Sequence, residues 1–315
     1  MGKTAIVFPG QGAQYAGMGK DFYDNFKESK EVFDKANKAL GFDIAKLCFE
    51  GPNEELSVTK VTQPAILTVC MAIFEIIKKK IHRNSDSIVM GGLSLGEYSA
   101  LTASGAVDFE TAVKLVYNRG NYMQNAVPVG EGGMAALIGC SDEDAIKFCE
   151  HVTNNCDLLE PANFNCPGQI AVGGKSSAIE YALKESSDFN IKKAVKLQVS
   201  APFHTSMLKP AGIKLKEDLM KIKFKTPSCE VISNVDASYY GNGNEIANKL
   251  EKQVYNPVKW EACVRKMIAD GVDTFIEVGP GKSLCGFIKK IDKSVNFINI
   301  EDIDTLEKYL SMQYS

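Results

Sequence analysis

Met90-Gly91-Gly92-Leu93-Ser94-Leu95-Gly96-Glu97-Tyr98-Ser99-Ala100-Leu101 is the stretch on which the fold turns. Ile88, Val89 and Met90 make a short apolar run that suits a buried strand. Glu97 to Ala106 reads as a helix. Between them Gly92-Leu93-Ser94-Leu95-Gly96 is a G-x-S-x-G, and strand, tight glycine turn and helix is the context of a nucleophile elbow. Glycine lets the backbone turn sharply with no Cβ in the way. The Ser94 hydroxyl would then stand at the carboxyl end of the strand, beside the first amides of the helix. The competing reading is an ordinary strand-to-helix turn, so the serine needs partners elsewhere in the chain.

Composition narrows the search. The chain has 315 residues, enough for two domains or for one large α/β domain with an insertion. Hydrophobic residues at 45% allow a full core, which argues against global disorder. A net charge of −3 gives no case for binding nucleic acid or an anionic membrane. The longest apolar run, Ala65 to Ile77, is too short for a bilayer and reads as a core helix. The early run Thr4 to Phe8 breaks at Pro9-Gly10, so no secretory signal is read there. Nine scattered cysteines without a C-x-x-C suggest reduced thiols and a cytoplasmic location. The three histidines form no metal-ligand cluster, so no metal is expected.

Thr4 to Phe8 reads as a first strand, followed by the glycine-rich loop Pro9-Gly10-Gln11-Gly12. Tyr15 stands where a dinucleotide fingerprint needs glycine, but such a loop can still offer amides to an anion. Asp21 to Leu40 reads as one amphipathic helix and Thr62 to Lys79 as a core helix, with His82 in the polar link beyond it. A helix from Phe109 to Asn125 carries Arg119. Past the glycine-rich boundary at Pro128 to Gly133 the pattern becomes βαββαβ. Its strands fall at Met134–Gly139, Leu158–Asn163, Gln169–Val172 and Ala194–Val199, and its first helix, capped by Ser141, contains His151. Phe164 to Gly168 is read as a turn-rich link. That order is the order of a ferredoxin-like unit. The expected organisation is therefore a large α/β-hydrolase-like core, residues 1–127 plus 200–315, with a small ferredoxin-like subdomain inserted at 128–199. Strands are expected at Val231–Ser233, Thr274–Val278 and Asn296–Ile298. Gly279-Pro280-Gly281-Lys282-Ser283 is a turn into a helix, because Ile276 stands where a P-loop needs glycine.

A serine nucleophile needs a neutral imidazole within reach of its hydroxyl. His204, in the loop Ala201-Pro202-Phe203-His204-Thr205, is the best of the three histidines. At this point the sequence resembles a known family, the malonyl-CoA:acyl carrier protein transacylases. Phe8-Pro9-Gly10-Gln11-Gly12 is similar to its opening F-P-G-Q-G loop. Gly92 to Tyr98 is similar to its G-H-S-L-G-E-Y elbow, with Leu93 in place of histidine. Arg119-Gly120 with Met123-Gln124, Asn163 to Gln169, Val199 to Thr205, Gln253 to Trp260 and Glu277 to Gly281 follow in the family's order.

The resemblance implies roles for named residues. Ser94 is the residue that becomes malonylated and His204 is the base. Gln253 orients His204, through its backbone carbonyl. The amides of Gln11 and Leu95 form the oxyanion hole. Arg119 pairs with the malonyl carboxylate, a match that suits a planar guanidinium. Met123, Asn163 and Phe203 contact substrate, with Phe203 crowding any α-methyl group. The implied reaction is ping-pong transfer of malonyl from malonyl-CoA to the phosphopantetheine thiol of acyl carrier protein, supplying fatty acid synthesis. CoA is the product, no cofactor is permanently bound, and a monomer suffices. Carrier docking would call for a basic patch at Lys192, Lys193 and Lys196 or at Lys289 and Lys290.

Three readings stay open beside this one. The first is a discrete acyltransferase serving polyketide synthase carriers. The second is a serine hydrolase or thioesterase, although His204 comes early for a typical late histidine, no H-G-G-G-type loop is present, and Asp270-Gly271 is a weak dyad partner. The third is a non-catalytic module that has kept the fold.

Overall fold

The computed structural model describes residues 2–81, 88–199 and 201–312. His82 therefore lies outside the described residues, as does Ser200, the first residue after the expected insertion. The chain has an α/β fold with one parallel and one antiparallel sheet. Among the described residues nine strands build them: β1 Lys3–Phe8, β2 Ile88–Gly92, β3 Gly132–Ile138, β4 Leu159–Cys166, β5 Gln169–Lys175, β6 Lys193–Lys196, β7 Glu230–Val231, β8 Val272–Val278 and β9 Asn296–Ile300. The larger sheet runs β7-β2-β1-β8-β9, parallel throughout. The smaller runs β4-β5-β3-β6, antiparallel throughout.

Successive side chains of a strand point to opposite faces. Ile6, Phe8 and Met90 belong to one core with helix residues such as Ala65, Val69 and Phe74. Ala5, Val7 and Val89 belong to a second core with Trp260, Met267 and Leu284. With helices on both faces, every residue of β2 is buried, as a central parallel strand requires. The small sheet covers one face with the helices Asp142–Asn155 and Ser176–Glu185, whose Phe148, Val152 and Ile179 close a third core. Ser141 caps the first of these, its side chain accepting from Asp144 N. His151 stays on this unit, with Nε2 3.3 Å from the Tyr181 hydroxyl.

Several elements depart from expectation. The amphipathic stretch after Asp21 is two helices, Lys20–Asn25 and Lys27–Leu40, because Phe26 is extended at φ −126, ψ 123. The core helix runs from Thr59 to Ile81, and its Thr59–Lys79 stretch is long and apolar enough to cross a membrane. Length thus does not exclude a span; what marks a core helix is that 83% of its apolar window is buried in the protein. β4 continues through Phe164 to Cys166, leaving Pro167-Gly168 as the turn, with Gly168 at φ 76. β6 stops at Lys196, and β7 is two residues long. The elbow helix is Leu95–Ala103, two residues earlier at its start than its apolar pattern shows.

Candidate active site

β1 and β2 are parallel neighbours, so their carboxyl ends open side by side, which is where open α/β sheets place their chemistry. Gln11 follows β1 and Ser94 follows β2. The two loops touch closely. A Cβ on Gly96 would lie 2.0 Å from the Phe8 carbonyl oxygen, and one on Gly92 would lie 2.1 Å from the Gly96 carbonyl carbon. Only glycine permits that approach. Ser94 itself sits at φ 54, ψ −100, a strained backbone that persists only where its surroundings over-determine it. They do so here. Ser94 N donates to Asn234 Oδ1 at 2.7 Å, and Ser94 O accepts from Gln253 Nε2 at 2.9 Å.

The hydroxyl lies between a base and a cation. Ser94 Oγ is 2.7 Å from His204 Nε2, and it accepts from Arg119 Nη2 at 3.0 Å. His204 Nδ1 is 2.7 Å from the Gln253 carbonyl oxygen, which can only accept. Nδ1 therefore carries the proton, and Nε2 is left as the acceptor for the serine hydrogen. His204 is itself at φ 61, aimed from its loop into the site. Burial, and after it the Arg119 charge, holds the imidazole down at about 3, against the upward pull of the Gln253 carbonyl. It is a neutral base across the physiological range.

Arg119 is 1% exposed. Nη1 donates to Gln63 Oε1 at 2.8 Å and Nη2 to Gln253 Oε1 at 2.9 Å, and the guanidinium lies over the Tyr98 ring at 5.1 Å. All its acceptors are neutral. Among the described residues it forms no salt bridge, and its Nε has no hydrogen-bond partner. Burying a cation without an anion is costly, so the site is built for an anionic ligand group.

A cavity of about 380 Å³ opens over these groups. Ser94, His204, Arg119, Gln11, Leu95, Met123, Asn163 and Phe203 all line it. Gln253 does not, being fully buried behind His204 and Arg119. Leu95 is the first residue of its helix, where an N–H has no intrahelical carbonyl to meet. The far wall comes from the antiparallel sheet and the chain after it, through Met134, Asn163, Ala171, Leu197 and Val199. Leu93 lines the cavity too, packing on the core that holds Trp260. Phe164 N to Val258 O and Val258 N to Ala162 O, both 2.9 Å, tie β4 to the segment just after Gln253.

Sequence reasoning passed over four residues of this site. Gln63 and Asn234 hold Arg119 and Ser94, while Glu97 and Tyr240 stand behind them. Glu97 accepts from Tyr240 Oη, from Gln253 Nε2 at 2.7 Å and from Asn234 N at 3.1 Å, and burial pushes its carboxyl above the usual range. The available signals were polar residues inside apolar helices: Glu97 in Leu95–Ala103 and Gln63 at the start of the core helix. Among the described residues no group of three or more His, Cys, Asp or Glu could hold a metal ion.

Comparison with known proteins follows the same geometry. The sequence profile described as the acyl transferase domain matches residues 5–304. The chain is 43% identical over 307 residues to the malonyl CoA-acyl carrier protein transacylase of Bacillus subtilis, covering 98% of this chain and 96% of that one. The crystal structure of a malonyl CoA-acyl carrier protein transacylase from Clostridium perfringens superposes with a TM-score of 0.93 at 47% identity, covering 99% and 97%. A malonyl-transacylase solved in complex with a type II PKS acyl-carrier protein matches with a TM-score of 0.93 at 37% identity, over 98% and 99%.

Proposed function

The chain belongs to the acyl transferase domain family and, within it, to the malonyl CoA-acyl carrier protein transacylases; on that premise we propose how its own residues carry a malonyl group from CoA to a carrier thiol. The observation that carries the reading is Arg119, a buried guanidinium with only neutral acceptors, 3.0 Å from the Ser94 hydroxyl. A malonyl carboxylate supplies the missing anion in two parallel hydrogen bonds. Its thioester carbonyl then lies over Ser94 Oγ.

His204 Nε2 takes the serine proton as Oγ attacks the carbonyl. The oxyanion accepts from the Gln11 and Leu95 amides, donors worth about 3 kcal/mol each at such a transition state. Collapse expels the CoA thiolate, which takes the proton back from His204. The carrier's phosphopantetheine thiol next gives its proton to His204 and attacks the malonyl-serine ester, and Ser94 leaves with that proton. The Gln253 carbonyl keeps the imidazole in the required tautomer throughout. Met123, Asn163 and Phe203 shape the cavity around the acyl group. Malonyl-CoA enters as substrate and CoA leaves as product, so no resident cofactor is invoked.

We also read residues 1–127 with 200–315 as a hydrolase-like catalytic unit and 128–199 as a ferredoxin-like insertion. A separate apolar core beneath the antiparallel sheet and the strand order β4-β5-β3-β6 support this division. One chain supplies every group named above, which favours a monomeric working unit. Nine free cysteines favour a reducing compartment, the cytoplasm.

Intact-protein mass spectrometry after brief exposure to malonyl-CoA tests the reading. One malonyl adduct is expected on the native chain and none on Ser94→Ala. Arg119→Ala is expected to lose the preference for malonyl over acetyl. Equal labelling of the native chain by both acyl groups would remove Arg119 from its role. Rapid loss of the adduct to water without a thiol would make the chain a hydrolase. The polyketide reading is favoured by the neighbour solved with a type II PKS acyl-carrier protein. Faster transfer to such a carrier than to a fatty acid carrier would establish it.

A further inference from the structure

Glu97 is fully buried, and the donors to it are neutral: the Tyr240 hydroxyl, the Asn234 amide N–H and the Gln253 side-chain amide. A carboxylate held this way, with no cation in contact, is expensive to bury. It touches neither the cavity nor the serine hydroxyl. What it touches is the pair of amides that hold Ser94. Asn234 Oδ1 binds Ser94 N, and Gln253 Nε2 binds Ser94 O.

The Gln253 side chain is the informative one, because its amide has two ends and two orientations. Nε2 faces Glu97 and the Ser94 carbonyl, which are both acceptors. Oε1 faces Arg119 Nη2, which is a donor. Turned over, the amide would set its oxygen against a carboxylate and its NH₂ against a guanidinium. Arg119 restrains the amide at its oxygen and Glu97 restrains it at its nitrogen, so Glu97 fixes the choice from the side the substrate never reaches.

We propose that Glu97 is a positioning residue for acyl selection: it fixes the Gln253 amide, and the amide holds the Arg119 guanidinium over the Ser94 hydroxyl. This rests on the role of Arg119 given above and extends it to a group that never meets the substrate. The preference for a carboxylated acyl group then depends on a bond two residues removed from the carboxylate.

Self-acylation by malonyl-CoA and by acetyl-CoA, compared as kcat/KM in folded variants, tests this. In Glu97→Leu the preference for malonyl is expected to fall about ten-fold, since small misplacements of a clamp are costly. Most of the fall should lie in the malonyl KM, with acetylation nearly unchanged. Glu97→Gln should recover the preference. Its amide oxygen can still accept from Gln253 and Asn234, and its NH₂ can donate to the Tyr240 oxygen. Where Glu97→Leu does not fold, Glu97→Asp replaces it, withdrawing the carboxylate from Gln253 with the same expected loss. An unchanged ratio, with both acyl groups slowed alike, would mean that Glu97 only supports the fold and would overturn the proposal. So would a Glu97→Gln variant as unselective as Glu97→Leu. If the native chain itself shows no malonyl preference, it is the reading of Arg119 that fails.

Discussion

At the scale of single residues, the site joins a base that stays neutral to a cation that stays charged, with one hydroxyl between them. The two are coupled, because the Arg119 charge is the second cause, after burial, of the low His204 pKa. An ordinary imidazole titrates near 6.5, so only about 3% of it would be neutral at pH 5. With His204 held at about 3, kcat/KM for self-acylation by malonyl-CoA should change less than two-fold between pH 7.5 and pH 5. Arg119→Gln removes a lowering influence, so its acid limb should move upward, toward neutral pH. A ten-fold loss in the native chain at pH 5, measured by stopped mass labelling, would contradict the neutral-base assignment. The rare residue types made this layer legible in the sequence: one elbow serine, three histidines, and an arginine inside a recognisable stretch. Of the layer behind it, only the Gln253 carbonyl was legible, through the resemblance. Gln63, Asn234 and the side-chain amide of Gln253 act through the direction of neutral amides, which no spacing records, and Glu97 reads as one acidic residue in an otherwise apolar helix.

At the scale of elements, the elbow works because two loops meet backbone to backbone. Gly96 has no room for a side chain: a Cβ there would lie 2.0 Å from Phe8 O and 3.0 Å from Pro9 O, both main-chain atoms that cannot rotate away. Gly96→Ala must therefore push the Leu95–Ala103 helix from the Pro9-Gly12 loop. That should cost about 3 kcal/mol of stability and separate the Gln11 and Leu95 amides. Calorimetry should show the lower melting temperature, and transfer should fall well beyond the loss of folded protein. Gly286, inside the Ser283–Ile291 helix, is the control, because a Cβ there meets nothing within 4 Å. Gly286→Ala should be stabilising by up to about 1 kcal/mol. Equal effects at the two glycines would mean that close approach is not what position 96 requires. Periodicity located most of the longer elements; it left the short helices Ile44–Glu50 and Asn53–Leu56 unread, and it erred where a tertiary contact decides. Phe26 breaks an unbroken amphipathic pattern by turning extended and packing its ring on Phe22. The Phe164-Asn165-Cys166 stretch looks like a turn, yet it continues β4 because Phe164 N is claimed by Val258.

At the scale of the whole molecule, the cavity is closed on one side by loops from the parallel sheet and on the other by the antiparallel sheet. A carrier that delivers its thiol must therefore dock on the rim where the two meet. The two lysine clusters suggested by the sequence differ there. Lys196 is already paired with Glu180 at 2.7 Å, so its charge is partly spent within the small sheet's own surface. Lys290 is exposed and donates to Gln169 Oε1 at 3.2 Å, and Gln169 lines the cavity. Phe287, three residues earlier on the same helix, lines it too. Lys290 thus stands at the mouth with a neutral partner, free to meet an acidic carrier. A rim charge acts on encounter more than on the bound chemistry. Lys290→Glu should therefore raise the KM for an acidic carrier protein roughly three- to ten-fold, with the increase shrinking as salt is added. Acylation of Ser94 by malonyl-CoA should be unchanged, because it needs no carrier. Lys196→Glu should have the smaller effect. If the two reversals act alike, or if Lys290→Glu slows acylation as much as transfer, the carrier does not enter past this helix.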